Sequence, residues 1–425
     1  MSGGDVVEQL GERIKRLRKE RKMTLADVAG DRLTKGMLSL IENGKANPSM
    51  ESLQYIASQL NINTSELMQS EDSSTIRELL LIAENLYKES GETFSLERIE
   101  EIKKEFMNHL QPFFENRSVT GSSFEEVRLY DIYLKGKYAF NKEYNVEETK
   151  RLAKYYEDLH AFTRVLSIYS FMCTYEFRKL NYHEALSILL EGERKLNEYD
   201  HLIDTLEKLD YYYSLTVVYA ATNDNEKTEH YLNLAMELSK KKKIFYRYND
   251  FHRFLYYVNL QRCDIPKMDY YIRKMTNFVQ LMEDPLESIM VDIIKLTYYN
   301  VVEKDYEKVI NFTFNDEEYP QDLQKAAQNF INSERAYAYY HLNDIENAIE
   351  MVKDIKIPEE NAHPIDLAFL YQGFAVRALC QYEMGQAEEA KMDILYAYNG
   401  VKTFSDSIQR DFIVNGYEKI MNEKM

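Results

Sequence analysis

The sequence has no tryptophan and contains only three cysteines, seven prolines and 14 glycines in 425 residues. The cysteines, Cys173, Cys263 and Cys380, are widely spaced and odd in number, which fits neither a disulfide framework nor a zinc site. No apolar run approaches the ~18 residues that a membrane-spanning helix needs, and the N-terminus lacks the apolar segment of a signal peptide. The eight histidines show no metal-ligand spacing. We therefore expect a cytoplasmic protein without a membrane span, a metal or a cofactor.

The motifs of the common enzyme classes are also missing. The sequence shows no Ser/His/Asp or Cys/His arrangement, no phosphate-binding loop and no dinucleotide-binding fingerprint. Beyond about residue 72, glycine and proline are scarce, aromatic residues are plentiful, and apolar residues recur at helical rather than strand-like spacing. These features predict an all-α protein that is not an enzyme.

The charge is distributed unevenly along the chain. The net charge is −18, yet residues 1–70 carry ten Lys/Arg against nine Asp/Glu, whereas the remainder carries 43 against 62. Because so acidic a body repels nucleic acid, any contact with DNA must come from a local basic face. Residues 12–22, with seven basic and two acidic side chains, provide one, although such a run by itself is more commonly a solvated helix face.

Five short helices are predicted in the first 70 residues. Thr24 and Thr34 each stand just before an apolar-periodic segment, where a hydroxyl commonly caps a helix. Asn43 and Gly44 tolerate the backbone conformation that ends one. The predicted helices are residues 10–22, a short helix after Thr24, a helix from Thr34 to residue 42, and residues 50–60 and 64–69. Two of them joined by a tight turn make a helix-turn-helix.

The segments LGERIKRLRKERKMTLADVA and LTKGMLSLIENGKANPSMESLQYIASQLNINTSELM resemble the Cro/XRE-type repressor domain over its whole length. The I-E-x-G-x-x-x-P-S pattern within them is quite specific. The resemblance implies a lambda-repressor-like domain at residues 1–70 whose third helix enters the major groove. It also aligns Arg18 with a family arginine that pairs with the glutamate of this pattern, here Glu42.

The same resemblance implies which residues contact DNA. Thr34 would lie at the mouth of the groove and four residues would face the base edges: Lys35, Gly36, Ser39 and Leu40. Four further residues are suited to phosphates: Thr24, Asn43, Lys45 and Asn47. Leu25 replaces a glutamine that the family often uses for DNA contact. Leu40 replaces a polar residue, and contact with a thymine methyl and burial in the core are both open interpretations.

The body of the chain contains an internal repeat. Six segments, LNYHEA, DNEKT, DIPKM, KDYEKV, NDIENA and GQAEEA, share one pattern, and their anchor residues follow at intervals of 43, 40, 41, 39 and 42. The anchors are Ala185, Thr228, Met268, Val309, Ala348 and Ala390. This period exceeds that of tetratricopeptide repeats by about two helical turns. It predicts, after a linker at residues 71–76, a right-handed superhelical TPR-like α-solenoid over residues 77–425.

Equivalent repeat positions suggest a peptide-binding concave face. An aromatic register contains Tyr257, Tyr298 and Tyr337, and a neighbouring register contains Asn259 and Asn300, whose amides can pair with a peptide backbone. A third register contains Tyr213 and Arg253, and the latter can clamp a carboxylate. The competing interpretations are inter-helix core for the aromatic residues and locally bonded helix positions for the others.

A Cro/XRE-type domain followed by a long-period TPR-like body resembles the RRNPP family of quorum-sensing regulators, especially its NprR- and PlcR-like members. The resemblance implies a cytoplasmic transcription regulator that binds double-stranded DNA at a pseudo-palindromic operator and forms a homodimer or higher oligomer. A short signalling peptide in the concave face would shift the population between two arrangements. The alternatives are a constitutive XRE repressor and a Rap-like modulator that binds or dephosphorylates a response regulator, for which Gln111 is a candidate.

Overall fold

The computed structural model describes residues 10–64, 67, 71–115, 117–314, 321–358 and 363–422, and within these ranges it contains helices and turns but no strand. The chain divides into two compact units, one formed by residues 1–93 and 97–144 and the other by residues 94–96 and 145–425. The predicted all-α class is confirmed. None of the helices in the described ranges combines the length and apolarity that crossing a bilayer requires.

The first unit begins with four short helices: α1 (Leu10–Glu20), α2 (Leu25–Ala29), α3 (Lys35–Glu42) and α4 (Met50–Gln59). Three longer helices follow, namely α5 (Glu71–Glu92), α6 (Leu96–Glu115) and α7 (Phe124–Asn141). Of the predicted fifth helix, Thr64 and Leu67 are helical, and the rest lies outside the described residues. Residues 71–76, for which the sequence predicts a linker, form the first turns of α5.

Side-chain caps set the starts of the short helices, as the sequence predicts. The Thr24 hydroxyl accepts a hydrogen bond from the Asp27 amide, and the Asp27 carboxylate accepts one from the Thr24 amide in return. The Thr34 hydroxyl caps α3 by accepting from the Met37 amide at 3.0 Å. Each cap satisfies a backbone donor that the helix itself leaves unpaired. The four helices pack around one buried apolar cluster, which consists of Ile14, Val28, Ala29, Leu38, Ile41, Leu53, Ile56, Ala57, Leu60 and Leu67.

The second unit is a series of helical hairpins. Its helices are α8 (Val146–Asp158), α9 (Phe162–Arg178), α10 (Tyr182–Glu198), α11 (Thr205–Ala221), α12 (Asn225–Lys242), α13 (Tyr248–Gln261), α14 (Ile265–Met282), α15 (Pro285–Tyr298), α16 (Tyr306–Ile310), α17 (Gln321–His341), α18 (Ile345–Val352), α19 (Pro364–Glu383), α20 (Ala387–Val401) and α21 (Ile408–Asn422). The two helices contact each other in the pairs α9–α10, α11–α12, α13–α14, α17–α18 and α19–α20. Successive pairs also touch, since α10 contacts α11, α12 contacts α13 and α14 contacts α15. Such stacking buries apolar faces that no single repeat could bury alone.

The repeat pattern of the sequence has a clear structural basis. All six anchor residues, Ala185, Thr228, Met268, Val309, Ala348 and Ala390, are fully buried. Four residues before each anchor lies the N-cap of the second helix: Asn181, Asp224, Asp264, Asp305, Asp344 and Gln386. The residue before each cap has a positive φ of 53–78°: Leu180, Asn223, Cys263, Lys304, Asn343 and Gly385. A left-handed residue followed by a cap therefore recurs in every hairpin turn.

Candidate DNA-binding helix and candidate peptide cavity

Helix α3 is held by its inner face and by one ion pair. Leu38 and Ile41 are buried in the core of the helix-turn-helix region. Glu42, at the end of the helix, is 3% exposed and accepts two hydrogen bonds from Arg18, from Nε at 2.7 Å and from Nη2 at 2.8 Å. The hydrogen bond and charge of Glu42 outweigh burial and raise the pKa of the Arg18 guanidinium. The ion pair expected from the sequence therefore exists, and it fixes α1 against the end of α3.

Eight of the nine predicted DNA contacts lie at the cap of α3, on α3 itself or in the turn after it, and the ninth, Thr24, is the N-cap of α2. Ser39 is partly exposed, and the other eight residues are exposed: Thr24, Thr34, Lys35, Gly36, Leu40, Asn43, Lys45 and Asn47. Some of their polar groups already have internal partners. The Asn43 side-chain amide donates to the Ser39 carbonyl at 2.7 Å, and the Thr24 and Thr34 hydroxyls accept from backbone amides.

Leu40 is 45% exposed, so it does not belong to the core that Leu38 and Ile41 form. Met37, which the sequence analysis did not select, is also 45% exposed on the same helix. A residue three positions before Leu40 lies beside it on the helix surface, and this spacing is the signal that could have identified Met37. The outer face of α3 is therefore partly apolar.

The basic run at residues 12–22 places less positive charge on the surface than its sequence indicates. Arg13 is 5% exposed, and its Nη1 donates to the Leu67 carbonyl at 3.2 Å. Arg18 is committed to Glu42. Lys19, Arg21 and Lys22 are exposed at the end of the helix and the turn that follows. Two of the seven cations in the run therefore serve the interior of the domain.

The second unit contains a cavity of about 320 Å³ between helices of different repeats. It is lined by α9 (Cys173, Thr174, Phe177, Arg178), α11 (Tyr213, Ser214, Val217, Val218), α13 (Arg253, Phe254, Tyr257), Met290 of α15 and the start of α19 (His363, Ile365, Asp366). Its volume is at the lower end of the range of small-ligand pockets. Tyr213, Arg253 and Tyr257, predicted from the repeat registers, meet here.

Arg253 is the central charge of this cavity. Its Nη2 donates to Asp250 at 2.7 Å and to the Tyr213 hydroxyl at 3.4 Å. Burial acts to lower the pKa of the guanidinium, but the nearby carboxylates, Asp250 above all and also Asp366, raise it above its ordinary value. Both hydrogen bonds that Arg253 makes to described residues use Nη2, so Nε and Nη1 can bond a further acceptor.

His363 brings the start of α19 to the cavity. The Ile365 amide donates to His363 Nδ1 at 3.1 Å, so the neutral ring carries its proton on Nε2 and donates it to the Val217 carbonyl at 3.2 Å. Burial lowers the pKa of this imidazole, which favours the neutral form. The repeat registers do not contain His363 or Asp366, which lie at the start of α19. His363 is 146 residues from Val217 in the chain, so only the folded structure brings the two together.

Four of the predicted peptide residues do not line the cavity. Asn259 is 3% exposed and its amide donates to the Leu255 carbonyl, whereas Asn300 is 1% exposed and donates to Glu334. The Tyr298 hydroxyl donates to Asp269, and Tyr337 belongs to the core cluster of the last repeats. We therefore confine the candidate peptide site to the cavity.

A metal site and a phosphatase site are the two kinds of chemical centre considered for this chain. In the part of the chain that the structure describes, no group of three or more His, Cys, Asp or Glu side chains could hold a metal ion. Gln111, the candidate for a phosphatase role, is on α6, where its amide donates to Glu115 at 2.6 Å.

The match to a protein family lies within the first unit. Residues 11–73 match a family described as a helix-turn-helix domain, so this region is a helix-turn-helix domain. The HTH-type transcriptional regulator DdrOP3 of Deinococcus deserti is 40% identical over 62 residues, which are 14% of this chain and 48% of that protein. The chain therefore spans about half the length of the curated relative that it matches.

The solved structures found by comparison align with more of the chain. Bacillus thuringiensis PlcR in complex with the peptide PapR7 and DNA is 19% identical, covers 65% of this chain and 96% of its own, and has a TM-score of 0.35. The apo form of the competence regulator ComR from Streptococcus vestibularis is 13% identical, covers 97% of this chain and 98% of its own, and has a TM-score of 0.21. Alignments with TM-scores this low do not identify a ligand of this chain.

Proposed function

We propose that the chain is a DNA-binding transcriptional regulator that recognises its operator with α3. The observation that carries the proposal is the exposed outer face of α3 within a helix-turn-helix domain. The Arg18–Glu42 ion pair on its inner side holds α3 against α1. Lys35 and Lys45 are exposed on the helix and the turn after it, where they can meet the base edges and phosphates of a major groove. A pseudo-palindromic operator would be read by two copies of α3 about one helical turn apart.

Selection of duplexes from a randomised pool by the full-length protein tests this proposal. We expect recovery of a sequence with two related half-sites, and removal of one half-site should abolish most of the binding. The double variant Lys35→Ala/Ser39→Ala should bind the selected duplex at least about tenfold more weakly, because base contacts each contribute ~1–3 kcal/mol of discrimination. Lys104→Ala, which removes an exposed lysine of α6, is the matched control. Unchanged binding by the double variant would show that α3 is not the reading helix.

We further propose that a short peptide bound in the cavity controls this DNA binding. Arg253, with Nε and Nη1 to offer, suits a peptide carboxylate, and Asp366 suits a cationic group. Phe177, Phe254 and Ile365 provide apolar walls for a side chain. A cavity with a few charged groups among apolar walls is typical of a site that fixes the orientation of a small ligand. The peptide would act only if it binds the two arrangements of the regulator with different affinities.

Affinity selection from a synthetic library of random short peptides tests the second proposal. Arg253→Gln should weaken binding of the selected peptides by about 10- to 100-fold, since hydrogen bonds to charged groups contribute ~1.5–3 kcal/mol. Arg262→Gln is the matched control, because Arg262 also pairs with a carboxylate, that of Glu229, and does not line the cavity. Equal binding by Arg253→Gln and the parent protein would place the peptide elsewhere. Failure to recover any peptide would favour a constitutive repressor.

A further inference from the structure

The exposed face of α3 contains two large apolar side chains close together. Met37 and Leu40 are each 45% exposed and lie three residues apart on one side of the helix. Neither contributes to the core cluster of the domain, which uses Leu38 and Ile41 of the same helix. Because the two side chains are adjacent on the helix that the proposed function places in a major groove, a bound partner would cover both and add burial free energy.

Hydrogen-bonding groups on this face are few. Gly36 has no side chain, and Ser39 and Asn43 are joined to each other, since the Asn43 amide donates to the Ser39 carbonyl and, at 3.4 Å, to its hydroxyl. Lys35 is the only cation on the helix itself. Direct hydrogen-bonded readout of base edges by this helix is therefore sparse.

The charge around the apolar pair indicates the kind of partner. The only acidic residue of α3 is Glu42, which is buried and neutralised by Arg18. The exposed charges on α3 and its following turn, Lys35 and Lys45, are both positive. A polyanion with apolar groups on its surface fits this combination. In the major groove of DNA that apolar group is the C5-methyl of thymine.

We propose that α3 reads its operator chiefly through thymine methyl groups, which Met37 and Leu40 contact. This inference rests on the proposed DNA-binding function and names the class of operator: one that presents thymine methyls in the major groove opposite α3. The lysines add affinity through base edges and phosphates, and the apolar pair supplies most of the sequence preference.

Deoxyuridine substitution gives a direct test. Replacing thymine by uracil in the duplex selected by the full-length protein removes the methyl group and leaves every base-pair hydrogen bond in place. The parent protein should lose about fourfold in affinity for each contacted methyl, the value of one buried methyl-sized group. Met37→Ala/Leu40→Ala should bind the thymine and uracil duplexes equally. Leu281→Ala, a leucine 73% exposed in the second unit, should keep the parent's preference for thymine.

The outcomes separate this inference from the function on which it rests. Specific binding that is unaffected by uracil at every operator position would overturn methyl readout and leave the DNA-binding proposal standing. Binding of the thymine duplex by Met37→Ala/Leu40→Ala at parent affinity would also overturn it. Recovery of no specific duplex would remove both proposals. Leu40→Gln should relocate the preference, because an amide favours adenine.

Discussion

Gly36 shows how a single residue can distinguish folding from function. It is the second residue of α3, and a Cβ built there would meet only the Thr34 hydroxyl at 3.9 Å. The fold therefore does not require glycine at this position. Gly11 is the opposite case, since a Cβ there would approach the Ile41 carbonyl to 2.2 Å, where α1 crosses the end of α3. A glycine that the fold does not need, on a face proposed to meet DNA, suggests close approach of a backbone to a ligand.

Gly36→Ala should raise the free energy of unfolding by up to about 0.5–1 kcal/mol, because alanine loses less conformational entropy in a helix. The same change should lower operator affinity, because the added methyl group occupies space against the base edges. Urea unfolding and gel mobility shifts measure the two effects. Gly11→Ala should destabilise the domain instead. If Gly36→Ala binds DNA as the parent does, the backbone of α3 is not in close contact with the groove.

At the scale of elements, one buried polar pair joins the turn after α15 to α17. The chain after α15 forms a π-helical turn over Tyr299–Glu303, and Asn300 within it donates to the Glu334 carbonyl at 2.9 Å and to its carboxyl Oε2 at 2.6 Å. Glu334 is 2% exposed. Burial raises the pKa of this carboxyl to about 7, against the opposing effect of hydrogen bonds from Asn300 and Thr297. The repeat contact therefore favours a protonated Glu334.

This contact predicts a pH dependence of stability. The folded protein holds the Glu334 proton more tightly than the unfolded chain, whose carboxyl has a pKa of 4.5. The corresponding stability is complete below about pH 4.5 and is lost as the pH rises to about 7, by on the order of 3 kcal/mol. Glu334→Gln should remove this loss in urea unfolding measured between pH 5 and pH 8.

Glu346→Gln, which changes an exposed glutamate of α18, should leave the pH dependence as in the parent. A pH dependence in Glu334→Gln that matches the parent would show that Glu334 ionises normally in the folded state. The Asn300 amide is used in this internal contact. A polar residue at a repeat position that suits a ligand can therefore instead join two helical elements.

At the scale of the whole molecule, charge restricts how DNA can be bound. The chain carries −18 overall, and all of the acidic excess lies beyond residue 70. Within the helix-turn-helix domain, fewer cations reach the surface than the sequence contains, because Arg13 and Arg18 are used internally. Each phosphate contact that remains should therefore be individually visible in the salt dependence of binding.

Lys45→Ala should weaken binding to all duplexes about uniformly and reduce the slope of log affinity against log salt concentration by about 1, as expected for one lost phosphate contact. Titrations of the selected duplex at several salt concentrations measure the slope. Lys104→Ala should leave it unchanged. An unchanged slope in Lys45→Ala would mean that Lys45 does not contact a phosphate.

Local features of the fold could be predicted well from the sequence. The caps Thr24 and Thr34 and the six repeat anchors follow from patterns that span a few residues or repeat at a fixed interval, whereas the Arg18–Glu42 pair follows from the resemblance to the Cro/XRE-type domain. A hydroxyl before an apolar-periodic segment, or a small residue at the closest point of two helices, acts through short-range geometry. Such geometry is the same wherever the segment is placed.

The environments of individual side chains were decided only by the tertiary structure. Leu40 is excluded from the core because Leu38 and Ile41 occupy it, and the Asn300 amide is committed because Glu334 faces it from another repeat. The cavity combines Arg253 and Tyr257 with His363 and Asp366, which no repeat register contains. The sequence by itself determined the helices, their caps, the repeat and the helix-turn-helix domain. Tertiary structure decided which polar groups are left for a ligand, because that depends on contacts between residues far apart in the chain.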